Sequence, residues 1–382
     1  MTPSSRSTGH FTACQVWARI RAQTRPTVKC RLARTLGVAV HYLNLREAEM
    51  KIANGTFFAD SALASISLTF AILFSCPATA QISRLELHSI QSQNPTDQEF
   101  LTGNREAKPV TIVGELRIPR PGAERLPAVV LLHGSGGAGA LEDQWAREFA
   151  TQGMATFIVD SFTARGIVST VLDQDRLSRL VMVGDAYRAL EVLAKHPRID
   201  ATRIVVMGFS RGGGAAHWSA LKRFQAMHGP ASPLGFPAHI AMYPACNRSF
   251  VNSTDVVDKP IRIFHGIADD YIPVTECRTY VERLQKAGKD IKLTEYEGAY
   301  HVFDNAAFST PIKLLQAQTT RGCPLIEEAS DGRLVNSETK QAFTYATDPC
   351  VQKGVTIGYN AQAHSEAVKA IKAFVATVVQ PK

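Results

Sequence analysis

A chain of 382 residues, 45% of them hydrophobic, can bury a large core, which excludes a disordered or fibrous protein. Its net charge of +8 invites a nucleic-acid partner until the charges are located: residues 1–49 hold eight Lys/Arg against two Asp/Glu, whereas residues 81–382 hold 33 against 31, a net of +2. A nearly neutral body offers no phosphate-binding surface, so no nucleic acid is expected as a partner.

The first 49 residues are Arg-rich and patternless, and Met50-Lys51 reads as a second start. Behind it come an apolar stretch from Ala62 to Phe74 and then Pro77-Ala78-Thr79-Ala80-Gln81. A short basic region, an apolar region and an A-x-A site make residues 50–80 a signal peptide cleaved after Ala80, with 1–49 an upstream extension of no structural role. The apolar run is shorter than the roughly 20 residues a membrane span needs, so no stable span is expected. An uncleaved anchor and an organelle presequence are the competing readings. Export to the periplasm or the medium also suits the cysteines. Cys246, Cys277, Cys323 and Cys350 remain after cleavage, an even number with no C-x-x-C spacing to suggest a metal or redox site. Of three connectivities, Cys246 with Cys277 and Cys323 with Cys350 is the expected one: the first ties neighbouring strand ends, the second staples an insertion.

The remaining chain, 81–382, reads as one α/β domain. Ile82 to about Thr102 is an N-terminal extension with one strand at most. Pro109 to Ile118 alternates and reads as an edge strand, closed by Pro119-Arg120-Pro121-Gly122. Ala128 to Leu132 is continuously apolar, as a buried parallel strand is. It runs into His133-Gly134-Ser135-Gly136-Gly137-Ala138-Gly139, then a helix from Leu141 to Thr151 and a strand from Ala155 to Val159. Asp173 to Ala194 has helical spacing that turns Arg176, Arg179 and Arg188 to solvent. A strand from Arg203 to Met207 precedes a helix from Gly212 to Met227. Short strands follow at His239–Tyr243 and Ile261–Phe264, then a helix from Thr275 to Lys286 and a last strand from Ile291 to Tyr296. Residues 305–358 break the rhythm as a polar insertion or lid, and Ala361 to Val378 is a final amphipathic helix. Strands alternating with helices over this length mean a mainly parallel sheet covered on both faces.

Gly208-Phe209-Ser210-Arg211-Gly212 sits between a strand and a helix. In that setting G-x-S-x-G makes a nucleophile elbow, a tight turn that lifts a serine hydroxyl above the sheet edge. Such a serine needs a base oriented by a carboxylate, in the order Ser, Asp/Glu, His at successive strand ends. His265-Gly266-Ile267-Ala268-Asp269-Asp270-Tyr271-Ile272-Pro273 follows one strand, and Glu297-Gly298-Ala299-Tyr300-His301 follows the last. The loop at 134–139 has two readings. Gly134, Gly136 and Gly139, with Asp160 beyond them, satisfy a dinucleotide fingerprint and would make an NAD(P)-dependent oxidoreductase. The same loop is equally an oxyanion loop of the H-G-G-G type.

From about Pro109 to Val378 these four motifs together resemble the dienelactone hydrolase branch of the α/β-hydrolases, in a secreted form. The resemblance implies Ser210 as nucleophile, Asp269 as acid and His301 as base. By position it makes the backbone N–H groups of Ser135 and Arg211 the oxyanion donors. It implies a small-molecule carboxylic ester as substrate and no metal or organic cofactor. A peptidase or acyltransferase on the same triad is the alternative within hydrolases. One departure is Ser210 itself, because the typical family member carries cysteine there. Asp270 is the rival to Asp269, and the H-G-x-x-D spacing selects the first. His133 and His265 are expected to be structural and His217 packed or solvated. Asp160 and Arg165 either border the pocket or stabilise a loop. The Arg211 side chain, expected to be exposed, either steers an acidic substrate or forms a salt bridge.

Overall fold

A computed structural model describes residues 82–104, 106–231 and 233–380; the expected upstream extension and signal peptide lie outside the described residues. The chain opens with strand β1 (Arg84–Gln93) and the short helix α1 (Asp97–Thr102). Then come β2 (Pro109–Ile118), β3 (Leu126–Leu132), α2 (Ala140–Ala150), β4 (Ala155–Asp160), α3 (Val181–Ala194), β5 (Ile199–Phe209), α4 (Arg211–Trp218) and α5 (Lys222–His228). β6 (His239–Met242), β8 (Ile261–Gly266), α6 (Thr275–Lys286), β9 (Ile291–Tyr296) and α7 (Ala361–Val378) complete the main layers, with the two-residue β7 (Arg248–Ser249) beside them. The main sheet has the order β1-β2-β4-β3-β5-β6-β8-β9. β2 runs antiparallel to both its neighbours, and every later pairing is parallel.

The apolar run of β3 follows from a strand covered twice. Ala128, Val130 and Leu132 face a cluster with Tyr187 and Leu190 of α3 and Trp218 of α4. Val129 and Leu131 face the other way, onto Trp145 and Phe149 of α2 and Ile371 and Val375 of α7. β5 divides in the same manner, so both strands lie at the centre of a three-layer α/β/α body. This is the α/β-hydrolase architecture the sequence predicts.

Three local expectations need correction. β2 is not the edge strand, because β1 adds ten paired residues outside it. The helix expected from Asp173 begins only at Val181. Between them, the carbonyls of Gln174 and Leu177 accept hydrogen bonds from the Arg211 guanidinium, and those tertiary bonds replace the helical ladder. The helix expected over Gly212 to Met227 is broken in two, since Leu221 turns extended to bridge Val256 and Val257 N–H donates to Ala220 O. The polar stretch 305–358 carries short strands of its own. β10 (Ile312–Thr319) pairs antiparallel with β13 (Gln352–Ile357). β11 (Ile326–Glu328) joins β12 (Leu334–Asn336) and β7 in a small second sheet.

Both expected disulfides are present. Cys323–Cys350 staples the insertion, while Cys246–Cys277 ties the loop after β6 to the first turn of α6 rather than to a strand end. No helix among the described residues is long and apolar enough to cross a membrane.

Candidate active site

Ser210 ends β5 and precedes the first residue of α4 with φ 51° and ψ −110°, a conformation a residue with a side chain rarely adopts. Its N–H donates to Met242 O at 2.9 Å and its carbonyl accepts from Gly214 N–H at 2.9 Å, which hold the turn from both sides. The flanking glycines are required by contact. A Cβ on Gly208 would lie 2.0 Å from Gly212 O, and one on Gly212 would lie 2.2 Å from Leu132 O. A side chain at Gly208 would push the first turn of α4 away from β5, and one at Gly212 would push the elbow off the end of β3.

The Ser210 hydroxyl meets His301 Nε2 at 2.9 Å, and His301 Nδ1 meets Asp269 Oδ2 at 2.7 Å. The other oxygen of Asp269 accepts N–H bonds from Tyr271 and Ile272, each 2.9 Å, so the carboxylate is fixed in the plane it presents to the imidazole. With Nδ1 donating to Asp269, Nε2 is free to accept the Ser210 proton. The rings of Tyr271 and Tyr243 flank His301 with centroids 4.7 and 4.8 Å away. All three groups are buried and stand at the carboxyl ends of β5, β8 and β9. Asp270 points away: its carboxylate accepts from the backbone N–H (2.6 Å) and hydroxyl (3.0 Å) of Thr356.

The loop after β3 lies directly against the elbow, since a side chain on Gly134 would sit 3.5 Å from Ser210 Cβ. Ser135 follows it, buried, with its carbonyl held by Thr170 N–H and the Ser169 hydroxyl. Asp160, which the dinucleotide reading needs for a ribose, instead accepts from the N–H groups of Phe162 and Thr163 and is committed to a turn. Arg165 is likewise structural, paired with buried Asp185. His133 receives the Ser161 N–H, His265 contacts Gly266 O and His217 contacts Ala245 O; all three are buried, and burial depresses their pKa values.

Arg211 corrects the sequence reading. Its side chain is fully buried and, among the described residues, makes no salt bridge; it donates to Leu177 O, Gln174 O and Gln174 Oε1, each at 2.8 Å. Arg179, expected on the solvent face, is also buried and donates to Gln174 Oε1 at 3.0 Å. Gln174, Arg179, Gln318, Thr319 and Tyr345 line the pocket with Ser210 and Ser135. None of the five belongs to a motif, so no spacing in the sequence could single them out. The free space left there is about 10 Å³, so the insertion closes over the hydroxyl. A wider cleft of about 930 Å³, lined by Tyr187, Gln225 and His239 at the opposite ends of the strands, holds none of the reactive groups.

Among the described residues one cluster has metal-ligand chemistry, Glu86 with His88 and His196. Both imidazoles contact Glu86 Oε2, at 3.0 and 3.1 Å, while Arg198 N–H donates to His196 Nδ1 at 3.2 Å. That bond leaves the proton of His196 on Nε2, where a metal would have to bind.

A model of the dienelactone hydrolase family matches residues 115–379. Among solved structures, one titled "m3DLH" is 18% identical with a TM-score of 0.50, covering 78% of this chain and 99% of its own. A putative dienelactone hydrolase from Klebsiella pneumoniae subsp. pneumoniae MGH 78578 is 14% identical, with a TM-score of 0.47 over 76% and 99% of the two chains. Esterase 2 of Thermogutta terrifontis, phosphoramylated by tabun, is 17% identical with a TM-score of 0.46 over 79% and 98%. Among curated protein sequences none matches. At 18% identity the first of these structures speaks for the fold alone. The family match runs from β2 to the end of α7, well over half of the residues, and on it the chain belongs to the dienelactone hydrolase family, as a carboxylic ester hydrolase of the α/β-hydrolase fold.

Proposed function

We propose that this hydrolase cleaves carboxylic esters through an acyl-enzyme on Ser210, with His301 as general base and acid and Asp269 as its orienting carboxylate. The observation that carries this reading is the unbroken hydrogen-bonded chain from the Ser210 hydroxyl through His301 to Asp269. His301 Nε2 takes the hydroxyl proton as Ser210 Oγ attacks the ester carbonyl, and Asp269 stabilises the imidazolium. The imidazolium then gives its proton to the leaving alkoxide as the acyl C–O bond breaks. Water, deprotonated by the same nitrogen, releases the acid and restores Ser210.

The oxyanion donors in this reading are the backbone N–H groups of Ser135 and Arg211. Arg211 opens α4, where N–H groups have no partner within the helix, and Ser135 lines the pocket beside the nucleophile. Each such donor is worth on the order of 3 kcal/mol to the tetrahedral intermediate. Two disulfides, together with the signal-like segment at 50–80, support action in the periplasm or medium.

Ser210→Ala is expected to abolish hydrolysis of p-nitrophenyl esters and labelling by a fluorophosphonate while the far-ultraviolet circular dichroism is kept. Labelling that survives the substitution would place the nucleophile elsewhere.

A further inference from the structure

Arg179 lines the pocket over Ser210 and shares Gln174 Oε1 with the buried Arg211, and among the described residues no carboxylate pairs with either. Arg179, Arg211 and Arg248 are 8%, 0% and 5% exposed, and among the described residues no acidic side chain lies within 4.0 Å of any of their guanidinium groups. Arg179 lies over the Tyr345 ring at 5.2 Å and Arg248 over the Phe343 ring at 5.7 Å, contacts that leave their charge in place. Among the described residues the Nε atoms of Arg179 and Arg211 have no hydrogen-bond partner. Burying an unpaired cation is costly, and proteins normally supply a counter-charge. Burial, with the charge of Arg179 beside it, pushes the Arg211 pKa down to about 9.

Gln174 stands where that counter-charge would go. Its Oε1 accepts from Arg179 Nη2 at 3.0 Å, Arg211 Nη2 at 2.8 Å and the Ser135 hydroxyl at 3.1 Å, while its Nε2 donates to the Tyr271 hydroxyl at 3.2 Å. The Thr170 hydroxyl also donates to Oε1, at 3.5 Å; a glutamate has the same shape and would keep these four acceptor bonds, while Tyr271 would donate to its second oxygen. A neutral amide at this point fixes two guanidinium groups next to the oxyanion loop without placing a carboxylate against either.

We propose that Gln174 is a positioning residue whose neutrality keeps the buried charges of Arg179 and Arg211 available to the oxyanion that forms during acyl transfer. The proposal rests on the Ser210 triad reading. A neutral ester carries no charge in the ground state, and its tetrahedral intermediate carries a full negative one. Buried cations beside it therefore act on the transition state and leave substrate binding alone, so they raise kcat without changing KM. The Gln174 amide also links the oxyanion loop, through Ser135, to the acid loop, through Tyr271, and so keeps the two in register.

The test is Gln174→Glu in the full chain, assayed on an uncharged p-nitrophenyl ester alongside thermal unfolding. The carboxylate pairs with two buried guanidinium groups, so Tm is expected to rise while kcat falls about tenfold or more and KM stays within about twofold. Arg179→Gln, which removes one charge, is expected to lower kcat severalfold on its own. Combined with Gln174→Glu, it is expected to cost less than the product of the two single losses. A Gln174→Glu variant with kcat within about twofold of the parent overturns the proposal. So does a lowered Tm, which would mean that the guanidinium groups are not what the side chain faces. If kcat on the neutral ester is kept and only KM for esters bearing a carboxylate rises, the charges serve substrate capture and the proposal is again overturned. Failure of the triad reading is separate: it would appear as turnover surviving in Ser210→Ala, whatever Gln174→Glu does.

Discussion

Glu142 shows how much a single buried carboxylate can govern the response to pH. It lies inside α2, almost fully buried, and caps the helix by accepting the Gly139 N–H at 2.7 Å. Burial pushes its pKa up to about 7, despite that hydrogen bond, and nearby Asp304 is shifted in the same direction by the same cause. A pKa raised on folding means that the native state holds the proton more tightly than the unfolded chain. The stability this gives is complete below the unfolded carboxyl value of about 4.5 and is lost as pH rises through about 7. The loss is on the order of 3 kcal/mol. Glu142→Gln keeps an acceptor for Gly139 and removes the titration. Between pH 5 and 8 the parent Tm is therefore expected to fall more steeply than that of the variant, and parallel Tm profiles would rule the account out. Arg211 is the contrasting case at this scale. Its sequence position, beside the nucleophile, is a motif feature and was readable. Its burial was not, because the carbonyls and the amide that receive its guanidinium come from Gln174 and Leu177, in a segment whose periodicity reads as helix.

The insertion between β9 and α7 acts as a brace for the acid and base loops. The Thr319 hydroxyl donates to Tyr271 O at 2.5 Å, Arg321 donates to Asp270 O at 3.1 Å, and Thr356 holds the Asp270 carboxylate. On the base side Gly358 N–H donates to His301 O at 3.2 Å. Asp270, the sequence rival to Asp269, thus serves the site by anchoring its loop to β13. The Cys323–Cys350 bridge closes the chain between β10 and β13, with 27 residues separating the two cysteines. A loop of that length stabilises the fold by about 3.5 kcal/mol on chain-entropy grounds. Replacing both cysteines with serine is expected to lower the Tm. It should also make esterase activity disappear several degrees below the loss of circular dichroism, because the brace loosens before the main sheet opens. Coincident activity and dichroism transitions would mean that the insertion does not unfold on its own. Polarity and the broken rhythm set this stretch apart in the sequence, and the even cysteine count left three connectivities, of which the expected one is present. Its four short strands were not legible, because pairs such as β11 with β7 form across 78 residues of sequence and leave no local alternation.

Across the whole molecule, the parallel part of the sheet and the four site loops were the legible part, since β3 and β5 must be apolar on both faces and the elbow's glycines are fixed by backbone contact. What ties the end of the N-terminal strand to that body, beyond its ladder with β2, was not legible, because it includes a charge pair formed by distant residues. Arg165, from the turn after β4, makes a two-pronged contact with Asp185 of α3 at 2.8 and 2.9 Å, and both side chains are buried. The same guanidinium donates to Gln93 O at 3.0 Å and to Asn94 Oδ1 at 2.5 Å, and the Ser92 hydroxyl also donates to Asp185. Three separate segments thus meet at one ion pair: the end of β1, the β4 turn and the middle of α3. Removing one partner leaves the other charged and buried, which costs about 3–5 kcal/mol, whereas removing both in favour of apolar groups of similar volume is often neutral. Asp185→Leu is therefore expected to lower stability by about that amount in urea unfolding. The double variant Arg165→Met with Asp185→Leu should recover most of the loss, apart from the bonds Arg165 makes to Gln93 and Asn94. If the double variant is as unstable as the sum of the single ones, the pair is not a coupled unit, and β1 is held to the body by its ladder with β2 and the packing of Ile90.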